Sequence, residues 1–267
     1  MSKKDTKREM SSQLWNIVTN KRRYKMDSHR KTAIIVGVLF IFAIVMLFVG
    51  EALYKPILDS PDYLDNAYPN RIVVIIGILL EFTGVPAVVL ISVFLYPILK
   101  KHNEALALGY VGFRLFEAAI LSVAYISKLS LVNLSQDYLN KGGMDASYFQ
   151  YIGSSIQSVN HWSGTQGLIY LIVFASGSLI LYSVLYKSKL VPRFISVWGL
   201  IAAAILLTGS VLANIDMFTE ISGLVLELIV ALPIAVAEMM LAIWLIVKGF
   251  NPCAIDSGSD KTETIKV

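Results

Sequence analysis

The sequence predicts an all-α fold, an integral membrane bundle of six transmembrane helices with both termini in the cytoplasm. Three observations predict it: the composition, the grouping of the apolar residues, and the placement of the basic residues. Of the 267 residues, 56% are hydrophobic and 16% are charged, and the mean hydropathy is +0.65. A soluble domain has roughly 45–50% apolar and about 25% charged residues, so this composition is typical of a protein embedded in lipid.

Six apolar runs are each long enough to cross a bilayer, which requires about 20 mostly apolar residues. Barrel strands alternate apolar and polar residues over about ten positions, and residues 168–186 show no such alternation. Because lipid offers no partner for backbone groups, runs of this length form helices. In chain order, the predicted spans cover about 33–53, 72–99, 105–132, 162–186, 194–215 and 223–247.

The distribution of Lys and Arg predicts the orientation of these spans. Ten basic residues precede the first span. In the remaining connections and tail, eight lie on the same side as that segment, and only three lie on the opposite side, namely Lys55, Arg71 and Lys141. Basic residues accumulate on the cytoplasmic side of a membrane, so we expect both termini there, in a protein of the cell (plasma) membrane.

Two segments flank the predicted transmembrane domain, which covers residues 32–252. Residues 1–31 are a basic cytoplasmic segment, interpreted as a solvated tail or, as the less favoured alternative, a short interfacial helix held by anionic lipid. Residues 253–267 are a polar cytoplasmic tail. Three prolines predict a loop over 54–71, and apolar residues at helical spacing predict an outer helix over 147–160.

Four ionisable residues lie near the middle of the predicted spans: Glu81 in the second, Arg114 and Glu117 in the third, and Glu238 in the sixth. An ionisable residue costs roughly 2.5–3.5 kcal/mol to insert at this depth, so we interpret the four as a candidate binding or coupling site. Arg114 and Glu117 are three positions apart and can touch on one helix face. We expect the polar faces of the three helices to meet and bring all four residues together.

Three further residues are secondary members of the predicted cluster. Tyr110 shares the helix face of Arg114. Glu227 precedes Glu238 on the sixth span and is expected near the outer surface. Lys128 is close to the predicted end of its span and is expected to extend its amine outward to water. Four glutamates and one arginine give a net charge of −3, so either some glutamates bind protons or water or a cation reaches them.

Several kinds of chemistry are disfavoured by the sequence. The three histidines, His29, His102 and His161, are predicted on different sides of the membrane and cannot converge on a metal. No His or Asp lies within a predicted span, which argues against an intramembrane serine hydrolase or aspartyl protease. The basic residues flank apolar runs and form no face for nucleic acid. We therefore expect no metal, cofactor or nucleic acid, and a lipid bilayer as the partner.

Three functions are compatible with these residues. The leading one is a polytopic inner-membrane protein that binds or moves a small solute, proton or cation through its glutamate-rich core. The alternative is a non-enzymatic sensor or assembly partner whose charges only join helices, since polar pairs within membranes contribute about 0.6 kcal/mol on average. The least favoured is a membrane enzyme with Glu81 and Glu238 as its acid and base.

Three blocks of the sequence resemble a known family. They are residues 113–121 (FRLFEAAIL), residues 185–199 (LYKSKLVPRFISVWG), and a last block that joins Pro233–Ala235 and Glu238–Met239 to residues 242–252 (AIWLIVKGFNP). Together they resemble the multi-pass prokaryotic membrane family known as domain of unknown function 4386, over about residues 30–252. The resemblance implies a six-helix membrane protein of bacteria or archaea, without a particular substrate, catalytic residue or cofactor. It also suggests that Arg114, Glu117 and Glu238 are family positions.

Overall fold

A computed structural model describes residues 3–214 and 223–255, and the side chains of 28–214 and 228–255. These residues form eight helices and no strand. The helices are α1 (Lys3–Leu58), α2 (Tyr63–Asn66), α3 (Arg71–Leu99), α4 (Glu104–Asn140), α5 (Ala146–Ser163), α6 (Leu168–Ser188), α7 (Arg193–Asn214) and α8 (Gly223–Val247). The predicted all-α fold is therefore confirmed.

Within the described residues, six segments are long and apolar enough to cross a membrane, which agrees with the predicted number of spans. They are Ser28–Leu58, Arg71–Leu99, Glu104–Asn140, Ala146–Ser188, Arg193–Asn214 and Leu228–Val247. Large apolar side chains point away from the bundle on these segments, and Ile72 and Ile126 are about two-thirds exposed. An outer surface of this kind is suited to contact with acyl chains.

The backbone of α1 is one continuous helix that joins the basic N-terminal segment to the first span. The predicted loop over 54–71 is wrong at its start, because α1 continues to Leu58 and includes Pro56. Pro56 lies in the last turn, where its missing N–H leaves the Ala52 carbonyl without its usual helical donor, and the helix ends soon after, with the Asp59 amide donating to the Lys55 carbonyl at 3.0 Å. The short helix α2 occupies part of the remaining connection.

The connections between the third and fourth spans also differ from the prediction. α4 continues to Asn140, well beyond the predicted end at residue 132. The predicted outer helix is confirmed as α5. Gly164 has an extended backbone and ends α5 at Ser163, and α6 begins at Leu168, so the fourth candidate span, Ala146–Ser188, consists of two helices.

The apolar core has two parts, one toward each end of the bundle. The first part contains buried side chains of α1, α3, α4, α6, α7 and α8, such as Phe40 and Leu185. The second contains side chains of α1 to α5, such as Leu58 and Phe149. Since α4 runs through both parts, its polar residues are presented to different sets of helices at different depths.

Arg30 fastens α1 to the end of α8. Its guanidinium donates to the carbonyl oxygens of Leu245 at 3.0 Å and Val247 at 3.1 Å, and also to that of Ile246. These are carbonyls that the last turn of a helix leaves without a partner. One basic residue of the N-terminal segment is thus part of the helical packing.

Candidate functional site

Arg114 of α4 lies at the centre of the first buried charge cluster, the arginine cluster, which consists of Tyr110, Arg114, Glu117 and Glu238. Its Nη1 donates to both carboxylate oxygens of Glu117, at 3.2 and 3.0 Å. Its Nη2 donates to Oε1 of Glu238 on α8 at 3.3 Å, and its Nε donates to the Tyr110 hydroxyl at 3.1 Å. The guanidinium therefore joins two helices and contacts two carboxylates.

Aromatic rings of α4 and α6 enclose this guanidinium. Its Cζ lies 5.3 Å from the ring centroid of Tyr110 and 5.2 Å from that of Phe174. Tyr170 stacks on Phe174 with a centroid distance of 5.7 Å, and the Tyr170 hydroxyl lies beside Glu117. Contacts between a cation and aromatic faces stabilise it further when water is excluded.

The arginine cluster carries one more negative than positive charge when all its groups are ionised. Arg114 contributes +1, and Glu117 and Glu238 contribute −1 each. The side chains of Arg114 and Glu117 are only 2% exposed, whereas that of Glu238 is 13% exposed. The excess charge therefore belongs to a buried group of three, in which Glu238 is the member with access to the surroundings.

Lys128, also on α4, lies at the centre of the second cluster, the lysine cluster, which consists of Tyr54, Glu81 and Lys128. Its Nζ is 3.3 Å from Oε2 of Glu81 on α3, and it donates to the hydroxyl of Tyr54 on α1. The same Nζ lies 5.1 Å from the ring centroid of Tyr125. One lysine and one glutamate balance each other, so this cluster is neutral. The Oε1 atom of Glu81 accepts no hydrogen bond from the side chains that the structure describes.

Close contact between α1 and α3 positions the lysine cluster. A Cβ atom at Gly50 would lie 2.5 Å from the carbonyl oxygen of Gly77 and 2.8 Å from Cβ of Glu81. A Cβ atom at Gly77 would lie 2.8 Å from the carbonyl oxygen of Gly50 and 3.4 Å from the Tyr54 ring. Small residues allow helix backbones to approach in a membrane, and here they bring Tyr54 and Glu81 together beside Lys128.

The structure brings together three of the four residues predicted to meet. Arg114, Glu117 and Glu238 are in contact, but Glu81 pairs with Lys128 and not with Arg114. Within the described side chains, the predicted single cluster is therefore two clusters.

The prediction that Lys128 extends outward to water is wrong, since its side chain is 5% exposed and ion-paired with Glu81. The helix α4 continues past Lys128 for three more turns, so the amine does not reach a helix end. Lys128 adds one positive charge to the predicted total of −3, and the described clusters, which do not include Glu227, have an excess charge of −1. The side chain of Glu227 lies outside the described residues.

Sequence reasoning missed several buried hydroxyl groups, some of which lie near these charges. Tyr54 lies just beyond the predicted end of the first span, and Tyr170 lies inside an uncharged one. The hydroxyls of Ser178, Tyr182 and Ser196 are buried on α6 and α7 and have no hydrogen-bond partner among the described residues. Tyr182 also interacts electrostatically with Glu238. A tyrosine in a predicted span is a signal for such a partner, because its hydroxyl needs a hydrogen bond when buried.

Within the described residues, no group of three or more His, Cys, Asp or Glu is placed to hold a metal ion.

Comparisons with known proteins identify the family. No curated protein and no solved structure matches the chain. The model of a family described as domain of unknown function (DUF4386) matches residues 35–249, which include both charge clusters. The chain therefore belongs to this DUF4386 family of unknown function.

Proposed function

We propose that the protein binds and moves a proton, or a small cation in its place, at the arginine cluster. The observation that carries this proposal is the excess of one carboxylate over the basic groups in a buried site. Transfer of an uncompensated carboxylate out of water costs several kcal/mol. Binding one proton or one monovalent cation removes this penalty, so the site has affinity for a positive charge.

Glu238 is the residue that exchanges the bound charge. Glu117 uses both oxygens to accept bonds from Arg114 and is 2% exposed, so it serves as the permanent partner of the guanidinium. Glu238 accepts a single bond of 3.3 Å and is more exposed. The weaker contact and the greater access make Glu238 the carboxyl that binds and releases a proton or cation.

The Tyr182 side chain interacts electrostatically with Glu238 and provides a polar group toward it. The buried hydroxyls of Tyr182, of Ser178 on the same helix and of Ser196 on α7 have no hydrogen-bond partner among the described residues, so each can bond to water or to a passing ion. Buried polar groups of this kind are usually satisfied by water. A few ordered waters next to Glu238 would connect it to the nearest helix end.

The proposed location is the plasma membrane, with both termini in the cytoplasm. Ten basic residues precede the first span, and the eight-to-three excess in the other segments has the same direction. The even number of candidate spans is compatible with termini on one side. This orientation places Arg30 and the end of α8 on the cytoplasmic side.

The experiment is a proton flux measurement on the full chain in proteoliposomes that contain a pH-sensitive dye. A potassium gradient with valinomycin sets a membrane potential, and the initial rate of internal pH change is recorded. We expect the wild type to exceed protein-free vesicles, and Glu238→Gln to reduce the rate to that of protein-free vesicles. Glu117→Gln should have a similar effect because it frees Arg114 to neutralise Glu238.

The matched control is Glu81→Gln, which removes the same charge from the neutral lysine cluster. It should retain the wild-type flux, since Glu81 does not contact the arginine cluster's guanidinium. The proposal would be contradicted if the wild-type rate equalled that of empty vesicles both with H⁺ and with Na⁺ as the driven ion. An equal loss of flux in Glu81→Gln and Glu238→Gln would contradict the assignment to one cluster.

A second candidate function is an assembly or sensor protein whose buried charges only join helices. The neutral lysine cluster favours it, because Lys128 links α4 to both α1 and α3 without any excess charge. This function predicts that Arg114→Ala lowers the melting temperature in detergent and that neither H⁺ nor Na⁺ concentration shifts the melting temperature of the wild type. A shift with either cation that is absent in Glu238→Gln would exclude it.

A further inference from the structure

A second site lies at one end of the bundle, outside both charge clusters. α6 ends at Ser188, α7 begins at Arg193 and α8 ends at Val247, and a pocket of about 510 Å³ opens where these three ends meet. Its walls are the connection between α6 and α7 and the segment that follows α8. Because all three helices are candidate spans, the pocket is at the level of a membrane surface.

Hydrogen bonds and apolar packing fix the shape of this pocket. The backbone amide of Asn251 donates to the Leu190 carbonyl at 2.9 Å, and the Asn251 side chain donates to the Lys189 carbonyl at 3.4 Å. Leu190 and Phe250 are buried and form its base. The two wall segments are therefore joined directly to each other.

The lining is basic. Lys189, Arg193 and Lys248 contribute three positive charges, and among the residues that the structure describes no acidic one lines the pocket. None of the three forms an ion pair with a side chain that the structure describes, and all are exposed. Arg193 is also the first residue of α7, a 22-residue helix whose N-terminal dipole attracts anions. An anion is the occupant that this arrangement favours.

Apolar and aromatic side chains continue the pocket toward the membrane interior. Trp244 lines it and packs edge-on against Phe194, with ring centroids 6.5 Å apart. Phe194 and Val247 are 62% and 61% exposed on the outer, lipid-facing surface. Tryptophan is typical of the membrane interface, where its ring lies at the level of the headgroups. An occupant with both a phosphate and acyl chains fits the pocket and this surface together.

We propose that this pocket binds the headgroup phosphate of an anionic phospholipid, whose acyl chains lie against Phe194 and Val247. The three basic side chains neutralise the phosphate and a second headgroup charge where one is present. Free phosphate would use the same basic residues but none of the apolar surface. The lipid is therefore the occupant that accounts for both halves of the site.

The test is native mass spectrometry of the full chain in detergent with phosphatidylglycerol or phosphatidylcholine added at equal concentration. We expect the wild type to retain phosphatidylglycerol in preference to phosphatidylcholine. Arg193→Gln combined with Lys248→Gln should weaken this retention roughly 25-fold, since each basic residue near an anionic headgroup contributes about a fivefold factor. The charge-matched control is Lys100→Gln with Lys187→Gln, exposed residues outside the pocket, and it should retain the preference.

Three outcomes would overturn the proposal: no preference in the wild type, no loss in the pocket variant, or an equal loss in both double variants. Displacement of bound phosphatidylglycerol by millimolar inorganic phosphate would show that the site binds soluble phosphate, and it would contradict the proposed binding of a lipid. If the pocket double variant does not fold, the single variant Lys248→Gln is compared with Lys187→Gln. We expect Lys248→Gln to weaken the retention of phosphatidylglycerol roughly fivefold and Lys187→Gln to leave it unchanged.

Discussion

The arginine cluster and the lysine cluster are both centred on a basic residue of α4, fourteen positions apart, or roughly 21 Å along the helix. They differ in charge balance. Lys128 has one carboxylate partner, whereas Arg114 has two. The comparison shows that burial of charge does not by itself identify a functional site. A balanced pair joins helices, and an unbalanced group retains affinity for a further charge.

The partners also differ in how they are held. Glu81 is fixed by the close contact between Gly50 and Gly77, which leaves its helix little freedom to move. Glu238 reaches Arg114 from α8 through one bond of 3.3 Å and is partly exposed. Release of Glu238 would break one hydrogen bond to Arg114, whereas Glu81 lies on a helix whose backbone is packed directly against that of α1.

The largest expected effect is that of Arg114→Gln. It leaves two buried carboxylates without a cation, and removal of one partner from a buried charge group typically costs about 3–5 kcal/mol. We expect the free energy of unfolding, measured by denaturant titration in detergent micelles, to fall by this amount. Arg71→Gln, an exposed arginine at the start of α3, is the control and should change it by less than about 0.5 kcal/mol. If both variants lowered the free energy of unfolding by a similar small amount, the two buried carboxylates would not depend on Arg114, and the contrast between the two clusters would be contradicted.

Lys128→Gln should have a smaller effect, about 1.5–3 kcal/mol, which is typical for loss of a hydrogen bond to a charged group. It leaves only one carboxylate unpaired, and Tyr54 remains beside the vacated position. The double variant with Glu81→Gln should recover part of the loss, since no charge then remains in the cluster. Strictly additive losses in this double-mutant cycle would show that the two side chains are not coupled.

Gly50→Ala should destabilise the protein by about 1–3 kcal/mol, because its Cβ would meet the Gly77 backbone and force α1 and α3 apart. Gly112→Ala on α4 is the control, since nothing lies within 4 Å of a Cβ atom built there. Alanine is the better helix former, so this control should be neutral or stabilising by up to about 1 kcal/mol. Equal melting temperatures for the two variants would contradict the close contact between α1 and α3.

Glu238→Gln should have the smallest effect on stability, about 0.6 kcal/mol, the average for a polar pair within a membrane. Glu117→Gln should cost more, because both of its oxygens bond to Arg114. The same denaturant titration measures both variants. A larger loss for Glu238→Gln than for Glu117→Gln would reverse the roles assigned to the two carboxyls.

Much of the fold follows from the sequence because the apolar runs are long and the membrane permits few alternatives. The contact of Arg114 with Glu117 is also predictable, since both lie on one helix at a spacing of three. The partner of Lys128 is not predictable in this way. It depends on the true length of α4 and on the approach of α1 and α3, which no spacing within one helix encodes.

The contact of Glu238 could be predicted from the sequence only in part. Its depth in the sixth span predicts that it faces another polar side chain, and the structure places it against Arg114. Its choice of Arg114 over Lys128 depends on the packing of α8 beside α1 and α7. The predicted excess of negative charge was too large by one unit, because Lys128, the partner of Glu81, was placed outside the membrane.

The most direct measurement of the central claim is infrared difference spectroscopy of the full chain in lipid during a pH titration. The carbonyl stretch of a protonated carboxyl reports whether the arginine cluster binds a proton. We predict one such band in the wild type that is lost in Glu238→Gln and retained in Glu81→Gln. A band that persists in Glu238→Gln and disappears in Glu81→Gln would place the exchangeable charge in the lysine cluster and contradict the account.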